Sequence, residues 1–119
     1  MPMHISLTLD EHQNLVSRLA DDQTTTTASA ADAPEALRGL SEALDDLEEN
    51  GFGECFWSQS SGDYRWVFRR SEERVRLAVL WCASVAVGFQ HVYWGEAEMR
   101  PWVAALRAEI ASVQIPQPR

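Results

Sequence analysis

Between Cys55 and Trp81 large apolar residues recur at every second position, and two polar turns interrupt the pattern without breaking its phase. Alternation of this kind is the mark of strands with one buried face. With Ser61-Gly62 as a two-residue turn, Trp57 falls opposite Trp66 and Cys55 opposite Phe68. With a second turn centred on Glu72-Glu73, Phe68 meets Leu77, Trp66 meets Val79 and Tyr64 meets Trp81. Both turns deliver the aromatic residues to one surface, which predicts an antiparallel meander with a packed face. The other face receives Arg65, Arg69 and Arg76 beside Phe56, Val67 and Leu80, with Glu54 expected across from Arg69. Internal ion pairing over a half-exposed sheet is the expected state of those arginines.

The flanking segments follow a different period. Leu37, Leu40, Leu44 and Leu47 step by three, four and three, and Pro34-Glu35 after Asp32 or Ala33 opens a helix that Asn50-Gly51 closes. At about 100° per residue, Glu35, Arg38, Glu42, Asp45, Asp46 and Glu49 occupy the side opposite the leucines. Val103, Leu106, Ile110 and Val113 mark a last helix opened by Pro101, preceded by a fourth strand around 89 to 98. The apolar parity changes between Phe89 and Val92, and Gly88 is the residue that permits a bulge or turn there. Met3, Ile5 and Leu7 suggest a short strand, while the Thr8–Glu11 spacing predicts a capped helix through about Ala20 with Leu15, Val16 and Leu19 buried. Residues 21–32, with four successive threonines, read as a flexible loop, and residues 114–119 as a tail. The sum is one domain over 1–119, of α+β class, in which a meander of about four antiparallel strands packs against two to three amphipathic helices.

Composition narrows the functional classes. The formal net charge is −8, all ten basic residues are arginines, and the first 54 residues carry twelve acids against Arg18 and Arg38. Such a chain repels nucleic acid and anionic membrane surfaces and favours a basic partner. Cys55 and Cys82 make no disulfide framework and no Cys-x-x-Cys motif, and the N-terminus lacks a charged and apolar leader, so the expected setting is the cytoplasm. No apolar run approaches the roughly 18 residues of a membrane span. His4, His12 and His91 lack ligand spacing, so neither metal nor cofactor is expected. A nucleophile built from Cys55 or Cys82 with His91 is the enzymatic alternative, and the expectation is that the protein is not an enzyme.

Two features single out residues. Asp45, Asp46, Glu48 and Glu49 crowd the C-terminal end of the predicted helix, where the macrodipole is already negative and no nearby Lys or Arg relieves them. Glu42, Asp45, Asp46 and Glu49 on the helix, with Glu54 just beyond it, are candidate contacts for a cationic partner. Trp94 is a candidate anchor, because tryptophan is enriched at binding hot spots.

The run Tyr64-Arg65-Trp66-Val67-Phe68-Arg69-Arg70, continued by Arg74-Val75-Arg76-Leu77-Ala78-Val79-Leu80-Trp81 and a C-terminal helix, is similar to small bacterial proteins of high-GC genomes. In size, acidity and layout over residues 35 to 113 the chain resembles immunity proteins of polymorphic or contact-delivered toxin systems. The resemblance implies a cytoplasmic antitoxin, expected as a monomer, that occludes the active or substrate-binding surface of a basic toxin domain. The type III class of secretion chaperones resembles the chain at the same level and is the alternative binding role.

Overall fold

The computed structural model describes residues 3–83, 86 and 88–113. In chain order the elements are β1 (His4–Leu9), β2 (Leu15–Ala20), β3 (Thr25–Ala30), α1 (Ala33–Asn50), β4 (Phe52–Gln59), β5 (Gly62–Ser71), β6 (Arg74–Cys82), β7 (Gln90–Glu98) and α2 (Met99–Ser112). The strands form two antiparallel sheets, β1-β2-β3 and β4-β5-β6-β7. The class is α+β, as the two periodicities predicted. Among the described residues no helix is long and apolar enough to cross a membrane.

Helix α1 begins and ends where its signals lie. The Asp32 carboxylate accepts a hydrogen bond from the Glu35 amide at 3.1 Å, and Gly51, at a φ of 80°, donates its N–H to the Leu47 carbonyl. The leucine stripe is buried together with Ala33, Ala36 and Ala43. This face lies on β4, and the approach is closest at Gly53, where a Cβ would stand 2.0 Å from the Ala43 carbonyl oxygen.

The meander has the predicted register between β5 and β6: Phe68 pairs with Leu77, Trp66 with Val79 and Tyr64 with Trp81. Between β4 and β5 the register differs by two residues. Cys55 pairs with Trp66 and Trp57 with Tyr64, which moves the turn to Ser60-Ser61. Gly62 belongs to β5, where a side chain would place its Cβ 2.4 Å from the Cys82 carbonyl oxygen, so its small size serves strand approach and not the turn. A slip of two preserves parity, and the expected aromatic face survives. Trp57, Trp66 and Phe68 are fully buried on it. The parity change toward β7 is absorbed by an irregularity in the β6–β7 pairing at Val79/Leu80, with Gly88 at a φ of 78° preceding the strand.

The N-terminal expectations are corrected. No helix spans Thr8–Ala20: the segment forms β1, a turn and β2, with Leu15, Ser17 and Leu19 inward and Arg18 outward. Leu15, Val16 and Leu19 satisfy a helical stripe, but Leu15, Ser17 and Leu19 satisfy a strand equally well. The Asp10 carboxylate settles the choice by accepting from the His12 and Asn14 amides, which bends the chain into a turn with Gln13 at positive φ.

Residues 21–32 likewise contain strand β3 in place of a flexible loop. Asp21 accepts from the Gln23 and Thr24 amides to build the turn, and the β-branched threonines then extend into a strand that buries Ala28 and Ala30. The predicted tail at 114–119 lies outside the described residues.

The small sheet, both helices and one face of the large sheet share a single core. Tyr93 donates to Asp21 at 3.3 Å, Thr26 to the Val92 carbonyl at 3.2 Å, and the Leu7 amide to Glu109 Oε1 at 2.8 Å, so the two sheets and α2 are stitched at several points. Helix α2 buries Met99, Trp102, Val103 and Leu106, with Ile110 and Val113 half-buried behind them. Replacing Gly53 by Ala forces α1 off β4. The expected loss is about 2–3 kcal/mol by the overpacking rule, seen as a lower urea midpoint with an unchanged denaturant slope.

Candidate protein-docking face

Burial alternates along β4, β5 and β6, so the large sheet has one covered side and one side toward solvent. Cross-strand pairing arranges the solvent side in rows. Phe52, Arg69, Arg76 and Glu96 form one row; Glu54, Val67, Ala78 and Trp94 form the next; Phe56, Arg65, Leu80 and His91 form the third. Trp94 is 61% exposed and Phe56 52%. Phe89, 46% exposed, reaches the same side, where the Arg65 guanidinium lies 6.0 Å from its ring.

The row structure explains where the arginine charge goes. Because β4 is shifted by two residues, Glu54 meets Arg65 and not the expected Arg69: the Arg65 Nε and Nη2 donate to one Glu54 oxygen at 2.9 and 2.7 Å. Arg74 and Arg76 approach Glu96 at 3.5 and 3.4 Å. Arg69 lies over the Phe52 ring at 5.0 Å. With Asp63 and Glu98 the face holds four arginines and four carboxylates, so the net charge of −8 resides elsewhere on the molecule.

Much of it lies on α1. Glu42, Asp45, Asp46 and Glu49 are exposed on the ridge turned away from the leucine stripe. The expectation that nothing relieves this end of the helix is corrected by α2. Arg107 donates to Asp45 at 2.9 Å and to Glu48 at 2.6 Å, and those bonds raise its already high pKa further. Asp45 and Glu48 therefore tie the helices together, which leaves Glu42, Asp46 and Glu49 as the outer acids. Since α1 packs on the covered side at Gly53, this ridge and Trp94 lie on opposite sides of the sheet. The six candidate residues thus divide: Glu54 and Trp94 share the open face, and the helical acids stand apart. Phe56, Leu80 and Phe89 belong with Trp94, and the odd-even parity of Phe56 against Cys55 and Trp57 was the available signal.

The two thiols occupy different settings. Cys55 is buried, and its pKa is pushed up from 9.0 to about 12, first by burial and then by the Glu54 charge. Such a thiol packs and does not attack. Cys82 is half-buried at the end of β6, opposite Asp63. Among the described residues no group of three His, Cys, Asp or Glu converges as a metal site. A cleft of about 480 Å³ beside α2 is lined by Met3, His4, Arg74, Glu98 and Trp102 among others, a mixed set of apolar, basic and acidic side chains.

No protein-family model, no curated protein and no solved structure matches the chain.

Two measurements follow from this geometry. Arg107→Ala removes the tie between helices, and because the groups are partly exposed the expected loss is at most about 1 kcal/mol and shrinks as salt is added. Cys55 is expected to resist alkylation at pH 8 until the protein unfolds. Its raised pKa also fixes a sign: the stability it contributes is complete below pH 9.0, where the unfolded thiol is still protonated, and is lost as pH rises toward about 12. Urea unfolding between pH 8 and 11 checks this.

Proposed function

We propose that this chain is a non-enzymatic binding protein of the immunity or antitoxin kind, acting in the cytoplasm, which holds a cationic protein domain against the open face of its large sheet. The observation that carries the reading is the placement of Trp94, Phe56 and Phe89 on one face of the sheet, all of them exposed. Single exposed apolar side chains are ordinary, but three large exposed rings on one sheet face support its use as a contact surface. Trp94 has the size and exposure of an anchor, and the Arg and Glu side chains around it form the polar rim that such anchors usually have.

Charge supplies direction. The acids outside the face, Glu42, Asp46 and Glu49 among them, give the molecule a negative field that attracts a basic domain and competes with its anionic substrate. Steering and docking are then separate tasks on separate surfaces, and they separate in kinetics. Lysine replacement of Asp46 and Glu49 slows association and leaves dissociation nearly unchanged. Trp94→Ala speeds dissociation and costs about 2 kcal/mol or more, on the order of 30-fold in Kd.

The experiment is capture of a partner from the native host by the tagged chain, followed by biosensor kinetics with the two variants. A single basic partner whose release accelerates in Trp94→Ala supports the reading. Full retention by Trp94→Ala, or recovery of no basic partner, removes it.

A further inference from the structure

We infer that, in the absence of a partner, a second copy of the chain covers the open sheet face, so that the free protein is a weak symmetric dimer. This rests on the proposed reading of that face as a docking surface and names its resting occupant. Charge selects the occupant. With a net charge of −8 outside the face, two copies repel each other through their other surfaces, whereas the face itself balances four arginines against four carboxylates. Both signs occur in the row of Arg69, Arg76 and Glu96 and in that of Arg74 and Glu98, so at that end of the face each copy offers an arginine and a glutamate to its counterpart, as a two-fold contact requires.

Shape agrees with charge. In the middle row Val67 and Ala78 form a low shelf, and Trp94 stands beside it on β7. A two-fold axis parallel to the strands brings the Trp94 ring of each copy onto the Val67–Ala78 shelf of the other, and sheets stacked about 10 Å apart leave room for one such layer of side chains. The face measures roughly 20 by 20 Å from strand spacing and rise. Even the whole face is only about 400 Å² per copy, below the stable class and in the range of weak contacts, for which a Kd on the order of 10–100 µM is expected. A contact of this strength is displaced by a tighter partner, and the free dimer departs from the monomer expected above.

Sedimentation equilibrium of the purified chain across about 5–500 µM, a range set by that affinity, tests the inference, with Trp94→Arg and Ala78→Glu beside the wild type. The expected result is a monomer–dimer equilibrium in the wild type that both variants abolish while their circular dichroism and urea midpoints stay native. A monomer at every concentration overturns the inference, as does a dimer that survives both substitutions. The outcomes separate the two proposals: a monomer that captures a basic partner through Trp94 sinks self-association alone, and a Trp94-dependent dimer that captures nothing sinks the proposed function alone.

Discussion

The rings of Trp57, Trp66, Phe68 and Trp102 hold the two layers of the molecule together. Trp57 and Trp66 lie 4.6 Å apart, Phe68 stacks 6.3 Å from Trp66, and Trp102 of α2 meets Phe68 at 6.1 Å. Each ring removes about 150–250 Å² from water, worth roughly 4–6 kcal/mol at 25 cal/mol per Å². The indole N–H groups of Trp66 and Trp102 find no acceptor among the described residues, a cost of about 1–3 kcal/mol each. Burial therefore wins, and the sheet gathers its covering layers where the rings are. Gly53 lets α1 settle on one edge of this surface, and α2 and the small sheet complete the cover.

One-sided packing has an electrostatic counterpart. The covering layer brings α1, with its ridge of acids, to the side away from the open face, and Arg107 reaches across from α2 to pin Asp45 and Glu48. The open face keeps its own ions in balance through Glu54 with Arg65 and Glu96 with Arg74 and Arg76. A negatively charged ridge and a neutral contact surface thus come from the same fold on opposite sides of the sheet.

Local signals decided which parts of this architecture were legible in the residues. Helix α1 carries its own cap, stripe and stop, so Asp32, the leucines and Gly51 define it without reference to anything else. The β5–β6 register follows from the Glu72-Glu73 turn and the aromatic alternation. Gly62 has the character of a turn residue, but its role is to admit the Cys82 carbonyl, a distant contact, and the turn falls at Ser60-Ser61. The N-terminal third is ambiguous in the residues for a related reason: Leu15, Val16 and Leu19 suit either period, and the strand wins because the Asp10 and Asp21 carboxylates make turns and a core lies beneath Ala28 and Ala30. In the candidate site, parity fixed the side on which Phe56 and Leu80 stand. The neutralisation of Asp45 was hidden, because Arg107 lies 62 residues away in sequence.

The bond from the Leu7 amide to Glu109 joins residues 102 apart and closes the outer edge of β1. Its consequence is one of timing. The segment from α1 through β6 is built from neighbouring contacts and can assemble as soon as it leaves the ribosome. Strand β1 precedes α2 by the other seven described elements, and its edge is capped only when the carboxylate on that helix has been made. Until α2 emerges, the N-terminal hairpin carries an unpaired strand edge and an uncovered apolar face, the kind of surface on which growing chains aggregate. The fold thus leaves the β1 edge exposed for the whole interval between the synthesis of β1 and that of α2.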